Sequence, residues 1–93
     1  MTKGTKGKLI EGLMAGEPGT RFPKDLVRRA EQHIAMLDAA TSLNDLATST
    51  SNNLKKPSGD RRHLYAIRIN RQWRICFRWD GTDAHDVEIV DYH

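Results

Sequence analysis

Apolar side chains first recur at helical spacing in Lys8 to Ala15 (KLIEGLMA), where Leu9, Ile10, Leu13 and Met14 share one face in spite of Gly12. A short helix is expected there. The residues before it, Met1 to Thr5, hold no apolar side chain after the initiator and carry no periodic signal. Gly16 to Arg21 combines glycine and proline and reads as a turn, after which Pro23 suits the first position of a second helix. From Asp25 onward Leu26, Val27, Ala30, Ile34 and Leu37 fall on one face, with Lys24, Arg28, Glu31, Gln32 and Asp38 on the others. This predicts a helix ending near Ala39. Thr41 to Asn53 is rich in Ser, Thr, Asn and Ala, and its apolar pair Leu43 and Leu46 can anchor a single turn begun by Ser42. The rest of that stretch reads as a mobile loop.

Pro57, Ser58 and Gly59 mark another turn, and beyond it the apolar period changes from 3.6 to 2. Tyr65, Ile67 and Ile69 share one face of a strand over Tyr65 to Asn70. In Trp73 to Trp79, Trp73, Ile75, Phe77 and Trp79 share one face, with Arg74, Cys76 and Arg78 opposite. Asn70, Arg71 and Gln72 supply the first connection, Asp80-Gly81 is a hairpin signal, and Ala84 to Val90 forms the next strand through Val87 and Ile89. The order is helix, helix, then a meander. The expected fold is α+β: two N-terminal helices packed on one face of a small curved, mainly antiparallel sheet, forming a single domain over residues 1–93.

Composition narrows what such a domain can do. With 93 residues and 10.6 kDa there is room for one small core, so a deep pocket for a large cofactor is not expected. A mean hydropathy of -0.66, and no apolar run of membrane-spanning or signal-peptide type, argue for a cytoplasmic protein with no membrane contact. The lone Cys76 cannot form an internal disulfide, which fits a reducing compartment.

Charge changes the picture more. The net +3 is unevenly spread: residues 1–50 carry +1, residues 51–80 carry +6 and residues 81–93 carry -4. A basic middle suits a polyanionic partner, while solvated faces that neutralise one another are the alternative. If the helices cover the Ile67, Ile75 and Phe77 side, Arg68, Arg74 and Arg78 project together from the opposite side. Neighbouring guanidiniums repel, and a phosphodiester relieves that repulsion while matching arginine's planar fork. RNA is the expected ligand of this face, with pairing to Asp86, Glu88 or Asp60 as the competing use of the same arginines.

The chain closes on Asp91-Tyr92-His93, three side chains able to hold or move protons. RNA cleavage without a metal needs a base for the ribose 2'-OH, an acid for the leaving 5'-oxygen and a cation for the phosphorane, and Arg74 can supply the cation. His33, His63, His85, His93 and Cys76 show no metal-ligand spacing, so neither metal nor cofactor is expected. His33 reads as a structural histidine and Cys76 as a half-buried filler.

Several segments together resemble the HigB-type killer proteins of the RelE superfamily, toxins of bacterial toxin-antitoxin modules: MLDAATSLNDL (Met36 to Leu46), GDR (Gly59 to Arg61), IRINRQWRICFRW (Ile67 to Trp79) and DVEIVDYH (Asp86 to His93). The resemblance covers about residues 22 to 93. It implies a ribosome-dependent, metal-independent endoribonuclease, an mRNA interferase that cuts mRNA in the ribosomal A site by 2'-OH attack and so inhibits translation. It implies that Arg74 contacts the scissile phosphate and that Asp91, Tyr92 and His93 form the catalytic group, with His93 leading proton transfer. Lys55, Lys56, Arg61, Arg62, Arg68 and Arg78 are the expected RNA-binding residues. A HigA-like antitoxin is the implied partner, with operator DNA reached only through it.

Two departures stand out. Relatives often read LHPLKGDR or LEKLKGDR where Leu54 to Arg61 is LKKPSGDR, so Lys55 replaces an active-site histidine of some members and Ser58 a lysine of many. At an ordinary pKa of about 10.4 a lysine is a poor general base. A weakly active or inactive homologue, acting with its antitoxin as a co-repressor, is therefore the alternative reading. The second departure is the polar Thr2-Lys3-Gly4-Thr5 where relatives open with an apolar strand. The expectation is a weak or absent first strand, leaving a sheet edge open to an antitoxin segment or a second copy.

Overall fold

A computed structural model describes residues 2–49, 54–55 and 64–91. Helix α1 spans Lys8–Met14 and buries Ile10 and Leu13. Gly16, at a φ of 79°, reverses the chain behind it: Glu17 N–H donates to the Gly12 carbonyl at 2.7 Å and Gly16 N–H to the Leu13 carbonyl at 3.2 Å. That pair of bonds closes the helix end on a left-handed glycine. Gly12 is required by the same turn, since a Cβ there would stand 2.5 Å from the Glu17 carbonyl oxygen.

Pro23 immediately precedes a 3-10 turn, Lys24–Leu26, which leads into helix α2, Val27–Ala39. Ala30, His33, Ile34 and Leu37 form its buried face. His33 is tied within the helix, its Nδ1–H donating to the Arg29 carbonyl at 2.8 Å, which gives it the structural role expected. The stretch after α2 holds more order than its composition suggested: helix α3 spans Leu43–Ser49, nearly two turns rather than one. Ser42 starts it as expected, its Oγ accepting the Asp45 N–H at 3.1 Å, and Leu46 is fully buried.

The sheet has four antiparallel strands in the order β1 (Leu54–Lys55), β2 (Leu64–Arg68), β3 (Trp73–Asp80) and β4 (Asp83–Asp91). It therefore begins before the Pro57-Ser58-Gly59 segment, which itself lies outside the described residues. Ile67, Trp73, Ile75, Phe77, Val87 and Ile89 face the helices and join Ile10, Phe22, Leu26 and Leu37 in one core. Phe22 meets Trp73 edge-on at 5.0 Å.

Two features of β4 escaped the alternation. A bulge opposite Cys76 to Arg78 inserts one residue, and Asp86 adopts a φ of 53° there. Ala84 and Val87, three positions apart, both reach the core as a result. The second feature corrects the expectation of an open edge. The polar strap at residues 2–6 runs parallel to β4 through bridges at Thr2↔Ala84 and Thr5↔Val87. Lys3 N–H donates to the Ala84 carbonyl, Val87 N–H to the Gly4 carbonyl and Lys6 N–H to the Val87 carbonyl, at 2.7 to 2.9 Å. Main-chain groups alone make this pairing, so it needs no apolar side chains.

Candidate nucleic-acid interface and active site

Paired residues of adjacent strands share a face, so the register determines which basic residues stand together. Across the side of the sheet away from the helices, one row runs Arg68, Arg74, Val90. The next runs Lys55, Ala66, Cys76, Glu88. The third runs Leu64, Arg78, His85. Successive rows are about 7 Å apart, two residues along a strand. Arg68, Arg74 and Arg78 are thus brought onto one surface, as the alternation implied, and β1 adds Lys55 to it. Cys76 is half-buried and in no disulfide, as expected.

The arginines are not equivalent. Arg78 Nη1 lies 3.4 Å from Asp86 Oδ2, one of the acidic partners considered from sequence. Both side chains are largely exposed, so the pair contributes little to stability and yields readily to a stronger anion. Arg68 donates from Nε to the Asn70 carbonyl at 3.2 Å, which leaves the far end of its guanidinium fork directed elsewhere. Arg74 is half-buried, with its Nε withdrawn from solvent. Arg68 and Arg74 are directly paired across β2 and β3, which concentrates basic residues at this end of the sheet.

The β2–β3 connection holds that end in shape. Asn70 Oδ1 accepts the Gln72 N–H at 2.9 Å and the Trp73 N–H at 2.7 Å. From α2, Arg29 Nη1 donates to the Ile69 carbonyl at 3.2 Å. The start of β3, and with it Arg74, is anchored from the loop and from a helix together.

Asp91 pairs with Trp73, the inward-facing neighbour of Arg74. It therefore projects toward the helix side of the sheet, whereas Arg74 projects away from it. The two candidates meet only around the strand ends. Lys56, Arg61, Arg62, Tyr92 and His93 lie outside the described residues.

On Asp91's side is a cleft of about 430 Å³ between the end of β4 and the junction of strap and α1. Lys6, Lys8 and Arg21 line it together with Leu9, Trp73 and Ile89; Glu88 and Asp91 complete the β4 wall. Sequence reasoning missed it. Its cations are scattered through a nearly neutral block and converge only when the strap docks on β4.

The chain matches the HigB-like toxin family, described as the RelE-like toxin of the type II toxin-antitoxin system HigB, over residues 15–93. It is 29% identical to "Endoribonuclease HigB" of Proteus vulgaris over 91 residues, 98% of this chain and 92% of that one. It is also 22% identical over 72 residues to an uncharacterized protein of Haemophilus influenzae, covering 77% of this chain and 71% of the relative. Helices over one face of an antiparallel sheet, a ladder of arginines on the other, and a match that runs from the end of α1 to the last residue agree: this chain belongs to the HigB-like toxins of type II toxin-antitoxin systems.

Proposed function

We propose that this toxin is an endoribonuclease that cuts mRNA in the ribosomal A site and is held in check by a HigA-like antitoxin. The observation that carries the reading is the opposed Arg68 and Arg74 pair on the sheet face free of helices, with Lys55 and Arg78 in the adjoining rows. A phosphodiester is the ligand that relieves such crowding while satisfying planar guanidiniums. The Proteus vulgaris relative, named an endoribonuclease, supports the same reading.

In the proposed reaction the ribose 2'-oxygen attacks the adjacent phosphorus, the 5'-oxygen leaves, and a 2',3'-cyclic phosphate remains. One proton leaves the 2'-OH and one reaches the departing oxygen. Arg74 stabilises the extra negative charge of the pentacoordinate phosphorane, which exceeds that of the substrate. His93, with Tyr92 and Asp91 beside it in sequence, handles the proton transfers. Lys55 is exposed on the arginine face and acts through its charge. Dependence on the ribosome follows from this division of labour, because a site with few strong acid-base groups gains most from a substrate that is already oriented.

The test is cleavage of mRNA on purified ribosomes in EDTA, comparing the wild type with folded Arg74→Ala and His93→Ala variants. Cuts that disappear in both variants support the proposal. Absence of wild-type cleavage in every codon context overturns it and leaves the co-repressor reading, which antitoxin and operator binding would then test.

A further inference from the structure

Arg74 and Asp91 share an end of the sheet but project from opposite faces, so an RNA that meets both must turn around the strand ends. On the Asp91 side it would enter the cleft walled by Lys6, Lys8 and Arg21. All three cations are exposed and unburdened by core packing. The floor contains Trp73, only 3% exposed, whose indole Nε1 is buried and finds no acceptor among the described residues. The indole therefore meets the cleft through its ring carbons and not through its N–H. Phe22 holds the indole in place, edge-on at 5.0 Å.

Charge within the cleft is divided. The three cations lie on the strap, α1 and the following loop, while Asp91 lies on β4. A ligand with an anion at one end and a neutral, apolar body matches this better than a polyanion lying along the whole cleft. A nucleotide has that form, and the volume suits one base with its phosphate.

We propose that this cleft binds one nucleotide flanking the scissile bond, its phosphate on Lys6, Lys8 and Arg21 and its base against Leu9, Trp73 and Ile89. The assignment rests on the endoribonuclease reading and adds a second region of substrate binding to it. Because the cations are exposed, Lys6→Ala/Arg21→Ala retains the fold.

Two measurements test it. In ribosomal cleavage the double variant should raise KM about tenfold while kcat moves less than about threefold, as removal of ground-state binding requires. In fluorescence anisotropy with a labelled short single-stranded RNA, made uncleavable by 2'-deoxy substitution, it should bind more weakly, with a salt slope shallower by about 0.7 for each phosphate no longer neutralised. Unchanged KM in variants that cleave, or unchanged RNA affinity and slope, overturns the nucleotide assignment. If the variants lose affinity for a polyglutamate probe but not for RNA, the cleft is a peptide site and the proposal fails. A wild type that does not cleave overturns the endoribonuclease reading, and anisotropy then decides the cleft separately.

Discussion

Asn70→Ala removes one oxygen that accepts two main-chain N–H groups, those of Gln72 at 2.9 Å and Trp73 at 2.7 Å. The Trp73 bond is partly buried, so water replaces it poorly, whereas the Gln72 bond is exposed. At about 1 kcal/mol net for each bond the loss is about 2 kcal/mol, with the half-buried bond carrying the larger share. In a domain of this size that lowers the melting temperature by about 8 to 16 °C. Asn70→Asp keeps both acceptors and should recover most of the loss. Thermal unfolding followed by circular dichroism measures all three proteins directly. An alanine variant melting within about 2 °C of the wild type would show that the loop is held without the side-chain bonds. An aspartate variant as unstable as alanine would show that the effect does not come from the accepting oxygen.

Two further substitutions have signs set by geometry. Alanine is favoured over glycine by about 1 kcal/mol inside an open helix, yet Gly12→Ala should lower the denaturant midpoint, because its Cβ would stand 2.5 Å from the Glu17 carbonyl oxygen. A raised midpoint would refute the required close approach. At Asp86, with a φ of 53°, Asp86→Gly should unfold at or above the wild-type midpoint, whereas Asp86→Val should cost about 1 to 3 kcal/mol; equal midpoints would refute a left-handed backbone there.

Strands were legible where one face is buried, since Trp73, Ile75, Phe77 and Trp79 alternate with Arg74, Cys76 and Arg78 without interruption. From that alternation came the shared face of Arg68, Arg74 and Arg78. What could not be read was whatever depends on the main chain or on a distant register. The strap pairs through backbone groups, which any side chain provides. The bulge shifts β4 by one residue at an ordinary-looking aspartate. Asp91 faces away from Arg74 because its partner is Trp73, a matter of strand pairing that local pattern leaves open. Helix α3 was underestimated because Ser, Thr and Asn weaken a helical signal that the buried Leu46 restores only after folding.

The strap also bears on when the toxin exists as a toxin. Its bridges join residues 82 positions apart, the greatest separation bridged among the described residues. One member lies in the strap ahead of α1 and the other in β4. Pairings this remote in sequence form late and slow the crossing of the folding barrier. While β4 is unmade, β3 has a bare edge, the strap has nothing to bind, and the cleft lacks its β4 wall. Assembly of this side of the sheet consequently waits for β4, and a chain in which β4 is not yet formed holds neither the closed sheet nor the cleft beside Asp91.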